Sequence, residues 1–240
     1  MRRTLLSSVM IALVVMLVRP AMPQAAGTAE PNTPEALKTA YDQAVKVKDW
    51  PSALANAHKL VDRSATAEHY RLLGDAQLYS GTGAEAIATL DRALAAAEKE
   101  KPAEGQPEAA WKDQKAKIYM SLGNANLKQR RNAEAIEHYQ HAAELAANPG
   151  LAYFNICAVL YNTGDMENGP AACRKAAAAD PMRANTWFIL GSFLFANAPV
   201  DSNRKVAISD EGREALKKYL ELAPDGPHAA DVEAMLKMAK

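Results

Sequence analysis

The sequence predicts an all-α protein, a solenoid of about five helix-turn-helix units closed by a terminal helix, and three observations predict it. Hydrophobic residues make up 49% of the 240, enough to bury a core, yet only 6% are aromatic and Ala abounds, which suits helices packed at close range. A spacing of 34 residues recurs: Tyr119, Tyr153 and Trp187 obey it, as do Leu122, Ile156 and Leu190, and Gly123, Cys157 and Gly191. Three aligned columns at one period are the signature of a stacked repeat. Finally, Pro149 and Asp180-Pro181 fall where one unit should stop and the next begin, because Pro lacks an N–H and clashes with the preceding turn.

In chain order, residues 1–26 read as a secretion signal. Arg2 and Arg3 precede an apolar run from Leu5 to Val18, followed by the small residues Ala21, Ala25 and Ala26. The run is about 14 residues against the roughly 20 that span a bilayer, so two readings stand: cleavage near Ala26 or Ala29, or retention as an anchor through residues 5–18. Export is the expectation, to the periplasm or the exterior. Residues 27–33 form a polar leader, and the repeat stack is expected over 34–227.

The first unit, about 34–64, carries Leu37, Tyr41, Ala53, Ala57 and Leu60. The second, about 66–98, carries Tyr70, Leu73, Gly74, Ala86, Leu90 and Ala93. From Gly74 to Gly123 is 49 residues, so about 15 have been added between Glu98 and Trp111, where Pro102, Gly105 and Pro107 break the pattern; a lengthened helix and a loop are expected. The third unit, about 115–149, has Ala135, Tyr139 and Ala142 on its second helix, and the fourth, 150–181, repeats them as Gly169, Cys173 and Ala176. The fifth, 184–227, resumes its second helix at Ala215, Tyr219 and Leu222 after an insertion over 197–214. Residues 228–240 place Ala230, Val232, Met235 and Leu236 on one helical face, suiting a cap over the last unit.

A large apolar residue, then Leu, then a small residue where two helices touch, repeated every 34 positions, resembles the tetratricopeptide (TPR) family. The resemblance covers about residues 34–227 and is strongest over 115–195. It implies a right-handed α-solenoid whose first helices line a concave groove that holds a peptide or protein. At the groove positions the first two units carry Glu35, Lys38, Asp42, Glu68, Arg71 and Asp75, a charged half. The later units carry Met120, Asn124, Leu127, Leu151, Phe154, Tyr161, Phe188 and Phe195, a half suited to apolar partners. Either a ligand takes this half, or an inserted segment or neighbouring subunit already fills it. Asn124 and Asn155 match positions where peptide-binding relatives grip a ligand backbone with side-chain amides. Met120, Phe188 and Ser192 stand where the chaperone-binding members place Lys or Arg, which argues against capture of a terminal carboxylate.

The same resemblance brings Cys157 and Cys173, the only two cysteines, onto facing helices of one unit. A disulfide closing about 17 residues would add about 3 kcal/mol by chain entropy; the alternative is two small buried thiols standing in for Gly and Ala. His138 and His141, with Glu134 and Glu137 nearby, read as a solvated helix face rather than half a metal site, since zinc needs three or four ligands. No phosphate loop, nucleophile elbow or His-Glu-x-x-His pair occurs, so no enzyme activity, cofactor or metal is expected. Arg2, Arg3 and Arg19 lie within residues 1–26, which leaves 25 bases against 28 acids in the rest and excludes nucleic acid as the expected partner. The sequence therefore reads as a protein or peptide scaffold, with a self-assembling subunit as the alternative and a redox helper as a third reading.

Overall fold

The computed structural model describes residues 33–100, 105 and 107–240. The expected signal segment and all of the leader but Thr33 lie outside the described residues. Those residues form eleven α-helices: α1 (Pro34–Lys46), α2 (Trp50–Arg63), α3 (Ala67–Ser80), α4 (Gly83–Lys99), α5 (Glu108–Lys128), α6 (Asn132–Leu145), α7 (Gly150–Thr163), α8 (Gly169–Ala179), α9 (Ala184–Ala196), α10 (Asp210–Leu222) and α11 (Ala229–Met238). Each helix packs on the next, and the first helices of neighbouring units also meet, α3 on α5 and α7 on α9. This is an all-α solenoid of five hairpins and a terminal helix.

Local chemistry explains where the helices start. Thr33, Asp49, Thr66 and Ser209 each accept a hydrogen bond at 3.2 Å from the backbone N–H three residues on, satisfying a donor that the first turn leaves orphaned. Pro34, Pro51 and Pro170 sit in first turns, where the missing N–H costs nothing.

Small residues explain how the hairpins close. Ala53, Ala57, Ala86, Ala93, Ala135, Ala142 and Ala176 are fully buried, so the second helices approach the first without bulky spacers. A Cβ on Gly74 would come within 2.5 Å of Leu90, and one on Gly123 within 2.4 Å of Tyr139. In the fourth unit Cys157 holds the glycine column and Cys173 the Tyr139 column, and the two are joined by a disulfide with Cα atoms 4.8 Å apart. Small-against-large in two units thus becomes small-bonded-to-small in a third, filling the same gap.

Two irregular segments shape the stack. Around the first, α4 runs 17 residues and α5 runs 21, against 13 or 14 in α1, α2 and α3. The second joins α9 to α10 and is a tight hairpin ending at Ser209, shorter than the expected 197–214 because α10 begins at Asp210. Val200 pairs antiparallel with Val206, and the Asp201 carboxylate accepts from the N–H groups of Asn203 and Lys205 at 2.9 Å. Val206 then pairs in parallel with Ala239, its N–H reaching the Met238 carbonyl at 2.9 Å while its carbonyl accepts from Lys240 at 3.0 Å. The insertion is therefore a clasp that holds the end of α11.

Candidate functional site

At the positions expected to line a groove, the first helices of the first two units are charged but internally satisfied. Lys38 binds Asp42 at 2.7 Å. Arg71 grips Glu68 with two N–H groups, at 2.8 and 2.9 Å, and Asp75 with a third at 2.6 Å. Burial pushes the Asp75 carboxyl above the usual range while the Arg71 charge pulls it back. These groups hold one another and offer an incoming ligand little that is unpaired.

The third and fourth units differ. Leu127 and Leu151 are exposed, and Met120 and Phe154 are half-buried. Met120 packs toward Tyr153, and the Arg183 guanidinium stands 5.1 Å over the Phe154 ring, held by Asp180 at 2.8 Å. The Arg183 Nε is buried without a hydrogen-bond partner. Asn124 Oδ1 accepts from the buried Tyr139 hydroxyl at 2.8 Å, which fixes the amide and leaves both its N–H groups free. Burial raises the Tyr139 pKa, so the phenol stays protonated and donating. Asn155, half-buried, has no hydrogen-bond partner among the described residues and keeps its full complement of donors and acceptor.

The fifth unit departs from the sequence expectation. Phe188, expected to line the groove, is only 8% exposed and lies flat on His228, ring centroids 3.9 Å apart and planes 3° from parallel. His228 is anchored by its own N–H, which donates to the Tyr219 hydroxyl at 2.9 Å. Phe195 is half-buried against the same core, and Ser192 is buried with its hydroxyl donating to the Phe188 carbonyl at 2.7 Å. Tyr161 marks the border: it keeps 37% exposure and meets Phe193 edge-on at 5.4 Å. The segment entering α11 covers Phe188, which is therefore a core residue, while Phe195 stays half-buried beside that core and the open face ends at Tyr161.

Sequence reasoning missed Phe193, Arg183 and His228. Phe193 fills the notch at Gly169, where a Cβ would come within 2.2 Å of its ring; the small residue at 169 was the available signal. Arg183 and His228 sit in turns outside the periodic columns, and nothing in the spacing points to them. Also missed were two clefts of about 500 Å³ flanking α8 on the side of the second helices. One has Tyr153, Ile156 and Leu160 as its floor, and the other Trp187 and Leu190, spanned by a two-pronged Arg174–Glu211 ion pair at 2.6 and 2.8 Å. α8 has Ala at 171, 172 and 176–179, which leaves room beside it, and only Lys175 and Arg174 reach from it to the rims of the two clefts.

His138 is half-buried beneath Tyr119 rather than fully solvated, with its Nδ1 unpartnered, and burial lowers its pKa. Among the described residues no cluster of three or more metal-binding side chains occurs, and no helix is long and apolar enough to cross a membrane.

Five stacked hairpins, a small-residue column at each hairpin contact and an open face across the third and fourth units define a TPR-type solenoid. Among solved structures the chain is similar to YrrB, a TPR protein with an unusual peptide-binding site, at 19% identity and TM-score 0.56, covering 85% of this chain and 93% of that one. It is similar to MamA at 19% identity and TM-score 0.56, covering 82% and 94%. It also resembles PilW, a type IV pilus biogenesis factor, at 13% identity and TM-score 0.65, covering 85% and 84%. At such identities the likeness shows the fold. No family model matches the chain. No curated protein matches it.

Proposed function

We propose that the chain is a binding scaffold of the cell envelope that holds an apolar peptide or partner segment across α5 and α7. The observation that carries this reading is the pairing of exposed apolar side chains with unspent amides on one face. Leu127, Leu151, Phe154 and Tyr161 offer area to bury, and Asn124 and Asn155 offer hydrogen bonds to a backbone. Extended chains need both, because their peptide groups lose water when their side chains are buried. The peptide-binding site of YrrB agrees with such a use of the fold. The Cys157–Cys173 disulfide and the basic-then-apolar leader support an oxidising compartment outside the cytoplasm.

The test is a displayed peptide library selected on the chain, followed by titration calorimetry of the enriched peptide. Phe154→Ala is expected to weaken that peptide by about thirtyfold, and Asn155→Ala by about fivefold. Undiminished affinity in both variants would move the binding surface to the clefts beside α8 and sink the reading.

A further inference from the structure

The turns inside the first three hairpins lie along one edge of the stack and differ in composition from the rest of the surface. The Trp50 ring stacks on Tyr79 across the first two units, with centroids 4.5 Å apart and planes 16° from parallel. From the end of α5, Lys128 extends its ammonium 5.7 Å over the Tyr79 ring and donates to the Leu78 carbonyl. The Gln129 side chain lies against Gly83, bringing Arg130 and Arg131 alongside the second turn. A continuous band of Lys48, Trp50, Tyr79, Lys128, Arg130 and Arg131 thus crosses three units.

Three features separate this band from ordinary solvated surface. First, apart from Lys128, which is held by the Leu78 carbonyl, its cations are unspent: among the described residues Lys46, Lys48, Arg130 and Arg131 have no ion-pair partner, whereas Lys38, Arg71, Arg174 and Arg183 do. Asp49, the acid beside Lys48, is occupied in capping α2 through the Ser52 N–H and hydroxyl. Five cations in these turns, counting Lys46, face the three carboxylates of Asp49, Glu85 and Glu134. The fourth unit's turn reverses the balance, with Asp165, Glu167 and no base.

Second, two of the cations occupy left-handed backbone. Lys48 and Arg130 both have φ of 60°, at the turn position where the second and fourth units have Gly81 and Gly164 at 97° and 71°. Glycine adopts this region freely and a residue with a Cβ does not. The charge is carried where the backbone would fold more easily without it.

Third, the band is open to solvent on its apolar residues too. Val47 is 62% exposed and Tyr79 50% at the tips of the turns. None of these residues lines either cleft, and an open surface of rings and cations suits a flat headgroup layer, which needs no concavity to receive it. Trp and Tyr partition to the bilayer interface because their rings are apolar and their N–H or O–H stays wet. Lys and Arg beside them are drawn to anionic headgroups.

We propose that this edge docks on the headgroup layer of an anionic lipid bilayer, with Val47, Trp50 and Tyr79 at the interface and Lys48, Lys128, Arg130 and Arg131 over the phosphates. The surface shares no residue with the proposed binding face of α5 and α7, so a scaffold docked by it still presents that face to a partner.

The experiment is co-sedimentation of the full chain with phosphatidylcholine vesicles, and with the same vesicles containing about 30% phosphatidylglycerol, at low and high salt. The apolar run from Leu5 to Val18 and its arginines are common to wild type and variants, so the readout is each variant's anionic-over-neutral preference relative to wild type. Lys48→Gly/Arg130→Gly removes two charges and places glycine where positive φ favours it, so the variant folds and circular dichroism verifies that. Its preference is expected to drop about 25-fold, about fivefold per cation. Tyr79→Ala is expected to weaken binding to both vesicles. An unchanged preference in the glycine variant overturns the proposal. So does a wild type that binds poly-glutamate through these residues yet distinguishes the two vesicles no better than the variant, which would make the partner an acidic protein.

Discussion

Phe154 and Phe188 are the same residue at the same register, 34 positions apart on α7 and α9, and the structure gives them opposite fates. Phe154 remains half-buried, packed at the margin of the C-terminal core with the Arg183 guanidinium over its ring. Phe188 is sealed beneath the His228 ring and joined to the Tyr219 core. Periodicity decides which face of a helix a side chain occupies, and what lies beyond that face decides its exposure. In the middle of the stack only the next first helix adjoins the face; at its end the cap folds across it. The two helices are also fastened differently. The disulfide ties α7 to α8, whereas α9 is held by burial under α10, the clasp and the entry to α11.

Truncation separates the two phenylalanines most sharply. Phe188→Ala empties a sealed site and is expected to cost about 3 to 4 kcal/mol in urea unfolding, with little direct effect on a ligand held by α5 and α7. A loss under 1 kcal/mol would mean that His228 does not seal the site. Next in size is the fastening of α7. Reduction, or Cys157→Ala/Cys173→Ala, is expected to remove about 3 kcal/mol and to loosen the helix carrying Phe154 and Asn155, with faster hydrogen exchange across α7 than across α9. Equal acceleration in both helices would show that the disulfide's influence is not confined to its own hairpin.

Smaller effects fall on the open side and on the cover. Phe154→Ala should lose about 2 kcal/mol of peptide affinity while lowering stability by about 1 kcal/mol, the inverse of the Phe188 pattern. His228→Ala removes one stacked ring and should cost about 1 kcal/mol of stability. It should also raise the exposure of Phe188, read as new binding of an apolar fluorescent probe. If the probe does not respond, α11 covers Phe188 without the help of His228.

Much of the architecture was legible because a repeat prints the same physical demand several times over. Gly74 and Gly123 each face a side chain within 2.5 Å of where a Cβ would stand, and the aligned Gly191 is crowded by Leu216 at the same distance, so wherever a large side chain faces the column it holds glycine. The candidate site was legible only in part. Register and the family resemblance nominated Met120, Asn124, Leu127, Phe154, Asn155 and Tyr161 together with Phe188 and Phe195, and could not mark Phe188 as the one that would be sealed. The clefts beside α8 went unseen because a run of alanines reads as good packing until the neighbouring helices are in place.

By itself the sequence determined the helices, their hairpin pairing and the faces they present. Capping residues and breakers act within one or two turns of chain, and the 34-residue period repeats a contact between helices adjacent in sequence, so neither needs a distant partner. Only the tertiary structure decided that Asn124 is oriented by Tyr139, that residues 199–206 clasp the end of α11, and that the cap closes the groove over Phe188. Each of these depends on groups from different elements meeting at a few ångströms. Such contacts follow from how rigid helices pack together, and no spacing along one helix encodes them.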